Sequence, residues 1–126
     1  MVVLGLCGIA LAAAGSASTK EGARSDLTTR LPVGAAPGTL VRVGWIVSAP
    51  DERGDMRPFG ATGMFVRLLS RTGAAASTGF APQSAGRYWA DVRVPRGGIG
   101  GVRTGLRVEG IESFTSVTLT CLGRGQ

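Results

Sequence analysis

The sequence predicts an all-β domain, an antiparallel sandwich of about seven short strands. Polar and apolar residues alternate in several short segments, which is the pattern of strands with one buried face. Clusters of glycine, proline, serine and aspartate separate these segments and are typical of turns. Beyond the N-terminal region no stretch shows a sustained helical period, and 21 glycines with 6 prolines oppose long helices. The strand segments are TLVRVGWIV (39–47), MFVRLLS (64–70), a short segment at 78–81, RYWADVRV (87–94), VRTGLRVEG (102–110) and SFTSVTLTC (113–121).

Two of these segments define the expected core. In TLVRVGWIV the residues Val43, Trp45 and Val47 share one face, which places Trp45 at the centre of the interior. In RYWADVRV the residues Tyr88 and Ala90 share the apolar face, and the opposite face is charged apart from one tryptophan. Burial of a large apolar side chain contributes about 2–3 kcal/mol or more, so Trp45→Ala is expected to be among the most damaging substitutions.

The N-terminal segment VVLGLCGIALAAA (2–14) carries no charge and is followed by the small residues GSAS. This composition is typical of a secretory signal peptide, and the segment is shorter than the roughly 20 residues of a membrane-spanning helix. We therefore predict cleavage after Ala17 and export to the periplasm or the outer side of the cell envelope. A buried N-terminal helix is the alternative, because no Lys or Arg precedes the segment, and bulky Leu6 disfavours a lipid anchor on Cys7. The predicted organisation is a signal peptide at 1–17, a flexible polar leader at 18–30 and the β-sandwich domain at 31–126.

The net charge of +6 does not by itself indicate a nucleic-acid partner. Nearly all the basic residues are arginines, and they are scattered singly along the chain, whereas a nucleic-acid surface needs clustered basic residues and stacking aromatics. We therefore predict no specific nucleic-acid binding. A weak electrostatic attraction to anionic membranes or envelope polymers, fading with salt, is expected.

Several chemistries lack the residue types that they need. The chain has no histidine, so Ser-His-Asp and Cys-His groups cannot form, and cleavage would leave Cys121 as the single cysteine. Acidic residues cluster only in PDERGD (50–55), which is expected to be a solvated turn, with a calcium loop as the alternative. The glycines of RGGIGG (96–101) predict a hairpin turn, since no Lys-Ser/Thr of a phosphate loop follows them. We predict no enzymatic activity, no cofactor, no metal site and no small-molecule substrate.

One tryptophan is the candidate contact point for a protein partner. Trp89 is predicted to lie on the wet face of its strand, flanked by Arg87 and Arg93. Tryptophan and arginine dominate the energetic centres of protein interfaces, so these three residues are the candidate contact site. The alternative is that Trp89 packs beneath the long segment RTGAAASTGFAPQ (71–83).

Together GTLVRVGWIV, GMFVRLLS and AGRYWADVRVPRGGI show a familiar succession of strands and turns. Over residues 38–108 the chain resembles the immunoglobulin-like β-sandwich domains of exported bacterial proteins in the YtkA-like and FixH-like group. The resemblance implies an immunoglobulin-like sandwich in which the tyrosine caps a core edge and the Pro-Gly-Gly makes a turn. Its landmarks are Trp45, Ala85, Gly86, Tyr88, Ala90, Val92, Pro95, Gly97 and Gly98.

Two functions follow from these expectations. The first is a non-catalytic, exported immunoglobulin-like domain with a structural or protein-interaction role in the cell envelope. The second is an accessory domain for envelope copper or metal handling, which the resemblance implies for some relatives. This chain departs from that pattern, since it has no histidine and its only methionines beyond the predicted cleavage site are Met56 and Met64.

Overall fold

The computed structural model of this protein describes residues 22–118. Within this range the fold is all-β with no helix, as predicted, and it contains eight strands where about seven were expected. None of the described residues forms a helix long and apolar enough to cross a membrane. The predicted signal peptide and Cys121 lie outside the described residues. The strands are β1 (Arg24–Leu27), β2 (Leu40–Pro50), β3 (Met56–Pro58), β4 (Met64–Leu69), β5 (Ala76–Phe80), β6 (Arg87–Arg93), β7 (Gly101–Val108) and β8 (Ile111–Thr118).

The eight strands form one continuous mixed sheet with two halves that share a single hydrophobic core. In the first half β2 pairs with β6 and β3 along one edge and with β1 along the other. In the second half the strand order is β8–β7–β4–β5. Strand β1 joins the halves, because it pairs with β2 in one half and with β8 in the other. Its pairing with β8 is parallel, and all the other pairings between these strands are antiparallel. The sheet is not closed at the opposite side, where β5 and β6 face one another across what we call the seam.

Strand β1 lies inside the segment that the sequence assigned to a flexible leader at 18–30. Its burial alternates, since Ser25 and Leu27 point inward at 0 % and 7 % exposure while Arg24 is exposed. The polar sequence concealed this strand because one of its two inward residues is a serine, which sequence patterns count as a surface residue. The ordered domain therefore begins before residue 31.

The core is centred where the alternation of β2 and β6 predicted it. Trp45 is completely buried, and its ring packs against that of Tyr88 with centroids 5.8 Å apart. The Tyr88 hydroxyl donates to the Phe59 carbonyl and accepts from the Ala61 amide, both at 2.9 Å. Burial raises the pKa of Tyr88, which keeps the phenol protonated as the donor of this bond. The tyrosine thus fixes the loop before β4 to the edge of the core.

A trio of buried hydroxyl groups ties β1 to the second half. Ser25 and Thr104 are 0 % exposed and Thr115 is 3 % exposed. The Thr104 hydroxyl donates to Ser25 Oγ at 2.9 Å, Ser25 Oγ lies 2.8 Å from Thr115 Oγ1, and the two threonine oxygens are 2.6 Å apart. Every hydroxyl of this ring lies within hydrogen-bond distance of the other two, so no member is left without a partner.

Candidate interaction surfaces

On the outer face of β2 and β6 an aromatic side chain packs against an ion pair. We call the three residues, Trp89, Arg42 and Asp91, the Trp89 surface. Trp89 is 44 % exposed. The guanidinium of Arg42 lies 4.0 Å from the centre of its ring, a cation–π contact. Arg42 also donates to both carboxylate oxygens of Asp91, at 2.9 and 3.2 Å. That bond lowers the pKa of Asp91 and raises that of Arg42, so both groups stay charged at neutral pH.

Strand register builds this arrangement. Arg42 is the cross-strand partner of Asp91, and Gly44 is the partner of Trp89, so Arg42 reaches the indole diagonally. Gly44 offers no side chain there, and a Cβ at this position would lie 2.7 Å from Thr28 Oγ1. The loop after β1 therefore packs against the outer face of β2 at Gly44, the position opposite Trp89.

Of the three residues that the sequence grouped, Arg87 is the next outward residue to Trp89, whereas Arg93 stands apart. Trp89, Arg87 and Arg93 all point outward from β6, but Arg93 is four residues from Trp89, about 13 Å along an extended strand. Arg93 turns instead to the Gly38 carbonyl, to which its Nη1 donates at 3.0 Å. The sequence analysis missed the contact between Arg42 and Trp89. The alternation of β2 places Arg42 on the outer face, but the sequence does not show that β2 pairs with β6. Trp89 is 44 % exposed, so the segment at 71–83 does not cover it in the way that the alternative supposed.

A second aromatic group, the phenylalanine row, crosses the outer face of the second half. Phe80 of β5, Phe65 of β4 and Phe114 of β8 lie side by side, with ring centroids 5.7 and 5.9 Å apart. Gly105 of β7 stands between the last two, and a Cβ there would lie 2.7 Å from Phe65 Cζ. The glycine therefore makes room for the Phe65 ring, which is fully buried although it is on the outer face.

Arginines bridge the phenylalanine row to a single carboxylate. Arg67 lies 4.9 Å from the Phe65 ring centre and donates to both oxygens of Glu112, at 2.9 and 2.7 Å. Arg107 lies 4.7 Å from the Phe80 ring centre and donates to the same carboxylate at 2.6 Å. The hydrogen bonds from Arg67 and then Arg107 lower the pKa of Glu112 to about 2. Phe65 and Arg67 are two residues apart in β4 and so share a face, but the sequence gave no sign of the carboxylate that joins them to β8.

An open groove of about 810 Å³ lies at one end of the seam. One wall is the β4–β5 turn with the start of β5, and the other is the end of β6 with the turn that follows it. Arg93 and Arg96 line this groove, and its lining contains no acidic residue. Within residues 22–118 the ion pairs involve other arginines, so these two cations have no carboxylate partner there. The lining is Pro37, Gly38, Ser70, Thr72, Ala74, Ala75, Ala76, Ser77, Arg93, Val94, Pro95, Arg96 and Gly97.

The residues considered for metal binding do not come together in the described part of the chain. Met64 is buried in the core at 1 % exposure, whereas Met56 is 40 % exposed on β3. Asp51 accepts from the amides of Arg53 and Asp55 at 2.9 Å and from Arg57 Nε at 3.2 Å, as in a self-contained turn. Among residues 22–118 no three His, Cys, Asp or Glu side chains form a group able to hold a metal ion.

No protein-family model, curated protein or solved structure matches this chain. The resemblance to the YtkA-like and FixH-like group therefore stays a prediction from the sequence. The surfaces described above are the basis for the functional argument that follows.

Proposed function

We propose that this protein is an exported, non-catalytic immunoglobulin-like domain that binds another protein in the cell envelope through its Trp89 surface. The observation that carries the proposal is the half-exposed Trp89 ring, held in place by Arg42, which is itself fixed to Asp91. An exposed aromatic ring with few conformations to lose binds a partner at a small entropic cost. Tryptophan and arginine are also the residue types most enriched at the energetic centres of interfaces.

The strand order supports the immunoglobulin-like part of the proposal. The chain leaves the second half after β5, adds β6 to β2 in the first half, and then returns to place β7 beside β4. Crossings of this kind between two groups of antiparallel strands are typical of Greek-key sandwiches, the class that includes immunoglobulin-like domains.

The state of the carboxylates supports the non-catalytic part. Asp51, Asp91 and Glu112 are bound by arginines, and each has a pKa below its ordinary value. A general acid at neutral pH needs the opposite shift, toward a protonated carboxyl group. Metal handling has less support, because Met64 is enclosed in the core while Met56 lies outside it.

The test is site-specific photo-cross-linking of the full chain in its native envelope, with the reactive residue at Arg87, next to the proposed contact. We expect a cross-link to one defined protein that disappears in Trp89→Ala and weakens in Arg42→Ala. Phe80→Ala is the matched control, because Phe80 is equally exposed at 45 % but lies on the opposite half. Cross-links that persist unchanged in Trp89→Ala, or that never form, would overturn the proposal, provided that the variant melts at the wild-type temperature.

A further inference from the structure

The seam between β5 and β6 is bordered by main-chain groups that neither strand uses. The Ser70 amide donates to Ala75 and the Ala81 amide to Met64, so every second residue of β5, starting from Ala75, is bonded to β4. The hydrogen-bonding groups of an antiparallel strand alternate in direction, so those of Ala76 point away from β4, toward the seam. They are the first unpaired groups on the β5 wall of the groove.

The same alternation applies to the β6 wall. The Val47 amide donates to Gly86, and the Val94 amide donates to Thr39, so the even-numbered residues of β6 are bonded to β2. The main-chain groups of Arg93 therefore point toward the seam as well. The two strands approach closely farther along, where a Cβ on Gly79 would lie 2.8 Å from the Asp91 carbonyl oxygen. At the Ala76–Arg93 end both strands line the groove.

Strand β1 shows how this fold fills such a gap. On the other side of the molecule it places four residues between the halves, antiparallel to β2 and parallel to β8. A short extended segment in the groove would stand in the same relation to β6 and β5. These two strands run in opposite directions, because the path of pairings from β6 through β2, β1, β8, β7 and β4 to β5 contains five antiparallel steps and one parallel step. Unpaired strand edges are the sites where extended peptides add to a sheet.

The side chains of the groove indicate the chemistry of the segment. Small residues at 74–77 leave room for a main chain to approach β5. Arg93 and Arg96 supply two positive charges without an acidic residue beside them in the lining. Pro37, Pro95 and the alanines at 74–76 give the groove apolar walls. A segment that alternates acidic and apolar side chains complements all three features.

We propose that the groove binds a short, extended, acidic peptide segment of a partner protein, whose main chain pairs with Ala76 and Arg93 and whose carboxylates contact Arg93 and Arg96. This site is separate from the Trp89 surface and does not depend on it. Main-chain pairing provides the affinity, and the two arginines select for negative charge.

The test uses the full chain and the synthetic peptide acetyl-Glu-Val-Glu-Val-Glu-amide, followed by amide NMR and fluorescence anisotropy. We expect a Kd below about 1 mM, with the largest shifts at the amides of Ala76 and Arg93. Arg96→Glu should weaken binding at least about tenfold. Arg53→Glu, the same charge change in an exposed loop at the other end of the molecule, should leave it within about twofold.

Two further probes separate main-chain pairing from simple charge attraction. A peptide of the same sequence with N-methylated main-chain amides should bind at least about tenfold more weakly, since its donors are blocked. An oligosaccharide of uronic acids, which has the charge but no peptide groups, should bind more weakly as well. Equal binding of either probe, shifts elsewhere on the surface, or no binding up to several millimolar would overturn the proposal. Trp89→Ala should bind the peptide normally, so a failure here is distinguishable from a failure of the Trp89 surface.

Discussion

Removing hydroxyls from the buried trio should give stability losses that are strongly non-additive. Thr104→Val keeps the shape of the side chain but removes two of the three bonds in the ring, those to Ser25 and Thr115. At about 1 kcal/mol of net stability for each hydrogen bond, the expected loss is about 2 kcal/mol. Ser25→Ala also removes two of the three bonds and should cost a similar amount.

The triple variant Ser25→Ala, Thr104→Val, Thr115→Val should cost less than either single substitution. It leaves no hydroxyl buried without a partner, and it places apolar groups in an interior position, so its loss should be about 1 kcal/mol or less. If the three bonds contributed independently at about 1 kcal/mol each, the triple variant would instead lose about 3 kcal/mol.

Urea unfolding followed by circular dichroism measures these free energies, and thermal melts provide a check. For a domain of this size a loss of 2 kcal/mol lowers Tm by about 8–16 °C. A triple variant that is less stable than Thr104→Val would refute the reasoning. It would show that the free energy gained from the three hydrogen bonds exceeds the cost of burying the three hydroxyl groups.

Three other substitutions test the core and the phenylalanine row. Trp45→Ala should lower the free energy of unfolding by about 3–5 kcal/mol in urea, and a loss below about 1 kcal/mol would contradict a core centred on Trp45. Gly105→Ala should cost about 1–3 kcal/mol, because the added methyl group meets the Ser113 main-chain carbonyl oxygen and the ring of Phe65; unchanged stability would mean that both can move aside. The Glu112 carboxylate, with its pKa of about 2 against an ordinary 4.5, should stabilise the fold fully above about pH 5. This contribution should be lost as the pH falls from 4.5 toward 2, by about 1–2 kcal/mol after allowance for 23 % exposure, and Glu112→Gln should abolish this part of the pH dependence.

The strands that the sequence predicted best are those with one face in the core and one face in solvent. In β2 and β6 the inward residues are large and apolar, so the period of two was visible and the positions of Trp45 and Tyr88 were confirmed. Strands β1 and β3 lack that signal. The inward residues of β1 include Ser25, and the three residues of β3 are all exposed along the end of β2.

The candidate surfaces were less predictable because they depend on which residues of different strands stand opposite one another. Trp89 could be placed on an outer face from its own strand, but Arg42 reaches it only through the register of β2 with β6. Phe80 lies in the short strand segment expected at 78–81, but ASTGF has little apolar alternation, so the face on which Phe80 lies could not be read from it. Register is set by turn geometry and by the packing of both faces together, and neither can be read from one segment alone.

Because β1 joins the two halves, truncation of the N-terminal segment should expose two strand edges. A chain shortened to begin at residue 31, the boundary suggested by the polar sequence, would lose the strand that lies between β2 and β8. Both neighbours would then present free edges, and the vacated slot would accept the corresponding segment. The shortened domain should therefore bind an added peptide that carries the Arg24–Leu27 segment, and its two free edges would be sites of association that the complete domain covers.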